Sequence, residues 1–384
     1  MKIELKNNIK NDKYTEYVYD KFDIQNRDQT ITEVSFNLSE AKSFDWNIGV
    51  VYGSSGSGKT TILKQMGDLA SSVFDGNKSL ISNFDWLEPN EASRLLSSMG
   101  LSSVPTWLRP FHLLSNGEQF RAELAYKVAK ANDSDVILID EFTSVVDRDV
   151  AKSMSFAIQK YIRKNNKRMI VASCHYDVME WLTPDWICSP QKNEGSLERG
   201  QWLRQSRPKI ELSVSRVESS AWDLFKKHHY LTQECKKSFG YLLFSIGKKP
   251  IGICVYKPQG TGAVPNGYAL ARTVILPDYQ GMGLGVYISN FTASILVNMG
   301  KRVYTKTISP ALGEYRENSD LFKPTSKNRK KRNDHNSDGG ARIRLSRSSY
   351  CHEYIGKGLS GYENILLPIK EMRELKNNNF KLEI

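Results

Sequence analysis

The sequence has little cysteine and no long apolar run. Its five cysteines, Cys174, Cys188, Cys235, Cys254 and Cys351, form no C-x-x-C pair. Neither a zinc site nor a disulfide framework is expected, and this usage is typical of a reducing cytoplasm. No window approaches the roughly 18 apolar residues of a membrane span, and the first residues lack the apolar segment of a signal peptide. We therefore expect a cytoplasmic protein that does not cross a membrane.

Length and composition indicate a folded protein with more than one core. The chain has 384 residues, of which 40% are hydrophobic and 25% charged. A chain of this length typically forms two domains. The formal net charge of +12 indicates a polyanionic partner, such as a nucleic acid or a phosphate-rich ligand. Charge alone does not choose between them.

The sequence predicts an α/β protein with two domains. Short apolar runs alternate with helix-like stretches in the first half, including 48–52, 136–140 and 169–173, as in a largely parallel sheet. A polar connection with glycine and proline follows. The predicted boundaries are 1–188 for the first domain, 189–215 for the linker and 216–384 for the second domain, with a basic loop at 324–340.

The second domain also shows an α/β pattern. We predict a helix at 221–228, strands at 239–246, 250–256 and 268–276, a helix that ends near 299, and a strand at 302–306.

A complete phosphate-binding loop lies in the first domain. It comprises Gly53, Ser54, Ser55, Gly56, Ser57, Gly58, Lys59 and Thr60. Glycines let backbone N–H groups approach phosphates, Lys59 supplies a cation, and Thr60 is a Mg²⁺ ligand. A flexible Gly/Ser turn is the alternative, but the preceding strand and the Lys-Thr pair favour ATP. Thr61 is a further candidate contact.

Two carboxylates end an apolar strand further on. Asp140 and Glu141 follow Val136-Ile137-Leu138-Ile139. Asp140 is placed to hold the metal, and Glu141 to polarise the attacking water. A buried strand that ends in acids for structural reasons is the alternative. The phosphate loop favours the catalytic interpretation.

The first domain resembles the ABC-type ATPases. Leu114-Ser115-Asn116-Gly117-Glu118-Gln119 is similar to their signature sequence, Ser144-Val145-Val146-Asp147 to their D-loop, and His175 stands where they carry a switch histidine. The resemblance implies a homodimer in which the signature of one subunit covers ATP held by the other. Ser115, Gly117, Glu118 and Asp147 are then candidate ATP contacts. No glutamine occurs between Met66 and Glu118, where transporter members carry their Q-loop, so coupling to a membrane partner is not expected.

A second glycine-rich loop lies in the second domain. It comprises Gln280, Gly281, Met282, Gly283, Leu284 and Gly285 after a strand that contains Val274. Such a turn suits a pyrophosphate. The glycine spacing fits a dinucleotide site poorly. The loop resembles that of the GNAT acyltransferases, which binds coenzyme A, and the resemblance implies acetyl-CoA or another acyl-CoA as cofactor.

The whole chain is similar to the family described as an ABC-type ATPase fused to a predicted acetyltransferase. Segments of the second half also resemble Mom-type GNAT proteins, which modify adenine in phage DNA; they are 207–210, Trp222, 227–231, 276–280 and 352–356. A nucleic-acid substrate follows as a hypothesis from this analogy.

The chemistry of acyl transfer selects the candidate catalytic residues. The reaction needs a base for the attacking amine and often a phenol for the leaving thiolate. His229, Tyr230, Ser309 and Tyr315 are the candidates, with packed or solvated side chains as the alternative. The basic run of Lys327, Arg329, Lys330, Lys331 and Arg332 is expected to attract phosphodiesters, with a solvated loop as the alternative.

Three functions remain open from the sequence. The first is an ATP-dependent enzyme that acylates DNA or RNA. The second is a switch that binds coenzyme A and ATP without transfer. The third is an acetyltransferase for protein or small-molecule amines, for which the basic run is dispensable.

Overall fold

The chain folds into two compact units that do not follow a single boundary in sequence. The computed structural model describes residues 2–22, 29–69, 71–132, 134–192, 195–200, 210–229, 235–236, 238–259, 264–330, 349–367 and 380–383. The first unit combines Met1–Ser72 with Lys127–Gln205, and the second combines Val73–Tyr126 with Ser206–Ile384. The segment that carries the signature-like sequence therefore groups with the C-terminal half.

The described residues form both strands and helices. In chain order they are β1 (Lys2–Asn8), α1 (Lys13–Phe22), β2 (Gln29–Ser35), β3 (Ile48–Tyr52), α2 (Lys59–Met66), α3 (Pro89–Ser98), α4 (Val104–Trp107), α5 (Asn116–Lys130), β4 (Val136–Ile139), α6 (Arg148–Lys164), β5 (Arg168–Ser173), α7 (Val178–Leu182), β6 (Trp186–Cys188), β7 (Leu197–Arg199), β8 (Glu211–Val217), β9 (Gly240–Ile246), β10 (Lys249–Pro258), β11 (Gly267–Ile275), α8 (Leu284–Asn298), β12 (Arg302–Thr307), α9 (Pro310–Glu317), β13 (Phe322–Pro324), β14 (Tyr350–Tyr354) and β15 (Phe380–Glu383).

The first unit is built on a largely parallel sheet. Its strand order is β4-β5-β3-β6-β7, and β1 pairs with β2 separately. Strands β4, β5, β3 and β6 are parallel, and only β7 is antiparallel to its neighbour. Burial on both faces explains why β3 and β5 read as nearly continuous apolar runs. The predicted parallel α/β sheet is confirmed.

The second unit is built on a mixed sheet of eight strands. Their order is β13-β14-β12-β11-β10-β9-β8-β15. Among the described strands, only β11 and β12 pair in parallel. Helix α8 connects them, and its residues Ile288, Ala293 and Ile295 are fully buried. The chain therefore belongs to the mixed α/β class in both units.

Two local predictions differ from the structure. Residues 219–224 and 226–228 form 3₁₀ turns rather than the predicted helix at 221–228. The turns bury Trp222 and Phe225 in the core beside β9, and this tertiary packing outweighs weak helix propensity. The predicted linker at 189–215 contains β7 and the start of β8. None of the described helices combines the length and apolar character needed to cross a membrane.

Candidate functional sites

The phosphate loop of the first unit encloses the ammonium group of Lys59. Lys59 Nζ donates hydrogen bonds to the carbonyl oxygens of Gly53 at 2.9 Å and Ser54 at 2.7 Å. Gly56 and Gly58 have φ values of 77° and 93°, a left-handed conformation that glycine adopts without strain. Helix α2 then begins at Lys59. A strand, a glycine loop and a helix N-terminus therefore follow one another with one cation at the loop, which suits a phosphate.

The other candidate residues of this loop are accessible. Ser55 and Thr60 are exposed, and Ser57 and Thr61 are half-buried. Thr60 lies in the first turn of α2, where a hydroxyl can reach a metal held by phosphates. The hydroxyl and the loop amides fit a Mg²⁺–nucleotide ligand.

An acidic turn follows β4 in the same sheet. Asp140 Oδ1 accepts a hydrogen bond from Glu141 N at 2.9 Å. Glu141 has φ 49° and Thr143 has φ 68°, a region that non-glycine residues rarely occupy. The carboxyl ends of β3, β4 and β5 lie at one edge because these strands are parallel. This edge therefore carries both the phosphate loop and the acids.

The end of β5 adds His175 to this edge. Its backbone N–H donates to Ser173 Oγ at 3.1 Å, and Ser173 Oγ donates to Phe142 O at 3.1 Å. This chain of bonds links the turn after β5 to the acidic turn after β4. His175 is half-buried. The structure thus brings His175 to the strand ends that carry Lys59 and Glu141.

One residue at the phosphate loop has no counterpart among the predicted sites. Gln191 Nε2 donates to Ser54 Oγ at 2.9 Å, and Ser54 N donates to Gln191 Oε1 at 3.4 Å. The neighbouring Lys192 places its ammonium 5.7 Å from the centroid of the Tyr52 ring. No motif marks Gln191 in the sequence, because it lies 137 positions from its partner.

The signature-like sequence forms the start of α5. Ser115 N donates to Glu118 Oε2 at 3.0 Å, and Glu118 N donates to Ser115 Oγ at 3.4 Å. This reciprocal pair is a capping box. Glu118 Oε1 also accepts from Thr106 Oγ1 at 3.0 Å. Glu118 is only 5% exposed, so its carboxylate supports the helix start, and the amides around Gly117 form the helix N-terminus.

Asp147 occupies the N-cap of α6. Its Oδ1 accepts a hydrogen bond from Val150 N at 3.0 Å, which satisfies one free N–H group of the first helical turn. Asp147 is exposed. Its predicted contact with ATP in a dimer remains a prediction.

The sheet of the second unit opens between its two parallel strands. Pairing between β11 and β12 ends at Leu270 and Thr305. Strand β11 stays paired with β10 as far as Ile275, and β12 stays paired with β14 as far as Thr307. The two strands therefore separate at their carboxyl ends. A parallel pair that diverges in this way leaves a crevice in which ligands commonly bind. Val274 lies on the diverging part of β11.

The glycine loop leads from β11 into α8 beside this opening. Gly281 and Gly283 have φ values of 90° and 75°. Tyr287 N donates to Gly283 O at 3.1 Å, so the N–H groups of Leu284 and Gly285 precede the first intrahelical bond. Helix α8 has 15 residues, and its N-terminus favours an anion. Backbone and helix together fit a pyrophosphate.

The side-chain amide of Gln280 makes hydrogen bonds within the protein. Its Nε2 donates to Ile275 O at 2.8 Å, and its Oε1 accepts from Ser102 N at 2.6 Å. The side chain is 8% exposed. Both ends of the amide are therefore engaged by protein groups. Direct contact between Gln280 and a cofactor stays a prediction, whereas Met282 is buried beside it.

The candidate groups for acyl transfer lie in different surroundings. His229 is 8% exposed and its ring lies 5.7 Å from that of Trp222. Tyr315 Oη accepts a hydrogen bond from Asn290 Nδ2 on α8 at 3.1 Å. Ser309 occupies the N-cap position of α9 without a capping bond from its side chain, and its N–H donates to Thr307 Oγ1. Ser309 and Tyr315 thus follow the diverging end of β12. Tyr230 lies outside the described residues.

The beginning of the basic run is attached to the second unit. Arg329 N donates to Ser349 O at 2.9 Å, and its guanidinium pairs with Glu317 at 3.4 Å. Lys327, Arg329 and Lys330 are exposed, as an electrostatic contact requires. Lys331 and Arg332 lie outside the described residues.

Solved structures that are similar to parts of this chain include ATP-binding cassettes and an N-acetyltransferase. The ATP-binding cassette MJ0796, in a dimeric post-hydrolysis state bound to ADP and Pi, is 17% identical, covering 47% of this chain and 95% of that chain with a TM-score of 0.34. CbiO1 from Clostridium perfringens is 15% identical, covering 40% and 75%, with a TM-score of 0.32.

Another solved structure that is similar to part of this chain is an N-acetyltransferase. The ribosomal-protein-S18-alanine N-acetyltransferase from Escherichia coli is 12% identical, covering 39% of this chain and 96% of that chain, with a TM-score of 0.28. No protein-family model matches the chain, and no curated protein matches it. These likenesses concern the fold alone.

Proposed function

We propose that this protein hydrolyses ATP and transfers an acyl group from acyl-CoA to a nucleic acid, under the control of ATP-dependent dimerisation. The observation that carries the proposal is the presence of two glycine loops, each between a strand and a helix. One contains Lys59 and lies at the strand ends that bear Glu141. The other contains Gly283 and lies beside the diverging strands of the second sheet.

The first unit supplies the groups for ATP hydrolysis. Lys59 and the loop amides bind the phosphates, and Thr60 with Asp140 holds Mg²⁺. When held there, Mg²⁺ would supply positive charge that neutralises the phosphates. Glu141 takes the proton of the attacking water, and His175 contacts the transferred phosphate. Gln191 keeps Ser54 in place through its two hydrogen bonds.

Dimerisation brings a second subunit's signature to the nucleotide. The exposed N-terminus of α5, with Ser115 and Gly117, presents backbone amides to the γ-phosphate of ATP held by the partner. Asp147 is the N-cap of another helix, α6, and it contributes to the same dimer interface. The capping box between Ser115 and Glu118 keeps this helix start preformed.

The second unit supplies the acyl-transfer site. The amides of residues 281–285 hold the pyrophosphate of coenzyme A, and the diverging end of β11 holds its pantetheine arm. Tyr315, which is bonded to Asn290 in the middle of α8, is the acid for the leaving thiolate. His229, Tyr230 and Ser309 are the remaining candidates to bind or deprotonate the acceptor amine.

The positive charge of the basic run favours a polyanion as the acceptor of the acyl group. The exposed Lys327, Arg329 and Lys330 follow β13 closely in sequence, in the unit that carries the glycine loop. Several cations that replace condensed counterions give salt-dependent affinity for phosphodiesters. A nucleic acid therefore fits better than a neutral small-molecule amine.

Acyl transfer is tested directly with labelled acetyl-CoA. The purified protein is incubated with DNA, RNA or a protein mixture, with and without ATP, and label is counted in each polymer. We expect labelled DNA or RNA, and loss of label when Lys327, Arg329 and Lys330 are all changed to glutamine. A matched control changes the exposed Lys10, Lys13 and Lys21 to glutamine. Label in protein alone, unaffected by the basic run, would show that the acceptor is a protein amine.

A switch without transfer is the second candidate. The engagement of Gln280 by Ser102 and the burial of His229 favour it, because both side chains are held by the protein. Simultaneous change of His229, Tyr230, Ser309 and Tyr315 separates the two functions. Biological activity that survives this change, together with retained coenzyme A binding, supports the switch.

A further inference from the structure

We propose that residues 73–126 transmit ATP engagement to the coenzyme A loop, so that the two ligands are coupled. This inference rests on the proposed function and adds its regulation. Residues 73–126 carry the signature-like sequence, yet they form one compact unit with the C-terminal half. Two helices of this segment, α3 and α4, pack on parts of the acyltransferase-like half: α3 on α9, and α4 on the turn at 226–228.

The first link joins the segment to the glycine loop. Ser102 N donates to Gln280 Oε1 at 2.6 Å, and Gln280 Nε2 donates to Ile275 O at 2.8 Å. Gln280 stands at the start of the loop, and Ile275 ends the strand before it. One buried amide therefore ties the chain after α3 to the first residue of the loop and to the end of the strand before it. A displacement of Ser102 must move or break these bonds.

Close backbone packing reinforces this link. Gly100 has φ +84°, and a Cβ atom there would lie 3.2 Å from Gln280 O. Only glycine combines this conformation with this approach. The segment and the loop are therefore in direct contact at the backbone, where little movement is absorbed by side-chain rotation.

A second link runs from the signature to the turn before His229. Glu118 accepts from Ser115 N through Oε2 and from Thr106 Oγ1 through Oε1, both at 3.0 Å. Thr106 lies on α4, which packs on the turn at 226–228. The carboxylate of Glu118 thus connects Ser115, which is expected to meet the partner's ATP, to α4. Helix α4 in turn packs on the turn that precedes His229.

A third link is ionic. Arg94 on α3 pairs with Glu314 on α9, the helix that contains Tyr315. The segment consequently contacts the second unit near three candidate parts of its site: the glycine loop, the turn before His229 and the helix of Tyr315.

Coupling follows if ATP in the dimer favours one position of the segment. Contacts between Ser115 and the ATP held by the partner then stabilise that position of residues 73–126. Through the three links, the same position favours one conformation of the loop at 280–285. Coupling between two binding sites is reciprocal. Coenzyme A must therefore change ATP affinity by the same factor by which ATP changes coenzyme A affinity.

The coupling factor is measured by calorimetric titration of coenzyme A into full-length protein with the change Glu141→Gln, which retains ATP. The dissociation constant with ATP and Mg²⁺ is compared with that without nucleotide. We expect at least about a fivefold difference. Thr106→Val removes one bond to Glu118, and Arg94→Ala removes the ionic pair; each should at least halve the factor. Ser98→Ala, which removes only a bond within α3, should leave it unchanged.

The outcomes separate this inference from the proposed function. Coenzyme A that binds equally with and without ATP overturns the coupling and leaves acyl transfer intact. A factor unaffected by Thr106→Val and by Arg94→Ala also overturns it. Absence of coenzyme A binding contradicts both proposals. If Thr106→Val does not fold, the exposed Arg94→Ala decides. The reverse titration, ATP with and without coenzyme A, must give the same factor.

Discussion

The strained position of Glu141 allows its catalytic role to be separated from its structural one. Glu141 has φ 49°, in the left-handed region where a side chain costs about 1–2 kcal/mol. Glu141→Gly removes both the carboxylate and this steric cost, whereas Glu141→Gln removes only the charge. Such strain is commonly retained at functional sites. We therefore expect Glu141→Gly to lose activity without losing stability.

The two effects differ enough in size to be resolved. The steric relief of about 1–2 kcal/mol is offset by about 0.5–1 kcal/mol of added backbone freedom in the unfolded chain. The net change in unfolding free energy is about 0–1.5 kcal/mol in favour of the variant. Loss of a general base lowers turnover about 10²–10⁴-fold. That loss raises the activation barrier by about 2.7–5.4 kcal/mol.

The assay combines steady-state phosphate release with chemical unfolding. Asn166→Gly is the matched control, since Asn166 has φ 50° in the turn before β5, at the opposite end of the parallel strands. It should retain turnover. Glu141→Gln should also accumulate an ATP-bound dimer by size-exclusion chromatography. Turnover by Glu141→Gly or Glu141→Gln above about one tenth of the unmodified rate would refute the base assignment.

Three further variants probe the first unit. Lys59→Ala should weaken ATP binding about 10–100-fold by loss of a charged hydrogen bond, measured by titration beside Lys64→Ala; undiminished affinity contradicts the loop assignment. Gln191→Ala removes two exposed bonds to Ser54, worth about 1 kcal/mol together, and should weaken ATP binding about fivefold; unchanged affinity means that the loop is held without it. Burial raises the pKa of Asp185, but hydrogen bonds from the backbone and Arg163 outweigh it and lower the pKa overall. The ionised Asp185 should therefore stabilise the fold fully above about pH 4, and this stabilisation should be lost below that pH. On acidification, the unfolding free energy of Asp185→Asn should fall less than that of the unmodified protein. Equal falls in the two proteins contradict this prediction.

The features that the sequence predicts well are those specified locally. The strand Ile48–Tyr52 and the helix that begins at Lys59 lie where the apolar run and the glycines predict them. An apolar run followed by a glycine loop determines its own geometry, because only glycine tolerates φ values such as that of Gly58. The glycine loop at 280–285 follows the same logic, with Gly281 and Gly283 at φ values of 90° and 75°.

The features that the sequence does not predict depend on distant partners. Residues 221–228 show a helical pattern, but Trp222 and Phe225 are drawn into the core by β9 and β10, and two 3₁₀ turns result. Gln280 matches a cofactor motif, yet its side chain is engaged by Ser102, 178 positions away. No local pattern encodes such a pairing, and the same is true of Gln191 at the phosphate loop.

The absence of a glutamine between Met66 and Glu118 gains a physical meaning from the packing of residues 73–126. In the transporters that the first half resembles, the Q-loop accompanies coupling to a membrane partner. Here the corresponding segment packs on the C-terminal half of the same chain: Arg94 of α3 pairs with Glu314, Ser102 between α3 and α4 bonds Gln280, and α4 packs on the turn at 226–228. If this segment couples the signature to that half, as proposed above, the effect on binding is reciprocal. Acyl-CoA should then change the affinity for ATP by the same factor by which ATP changes the affinity for acyl-CoA, and titration of ATP with and without coenzyme A measures this factor.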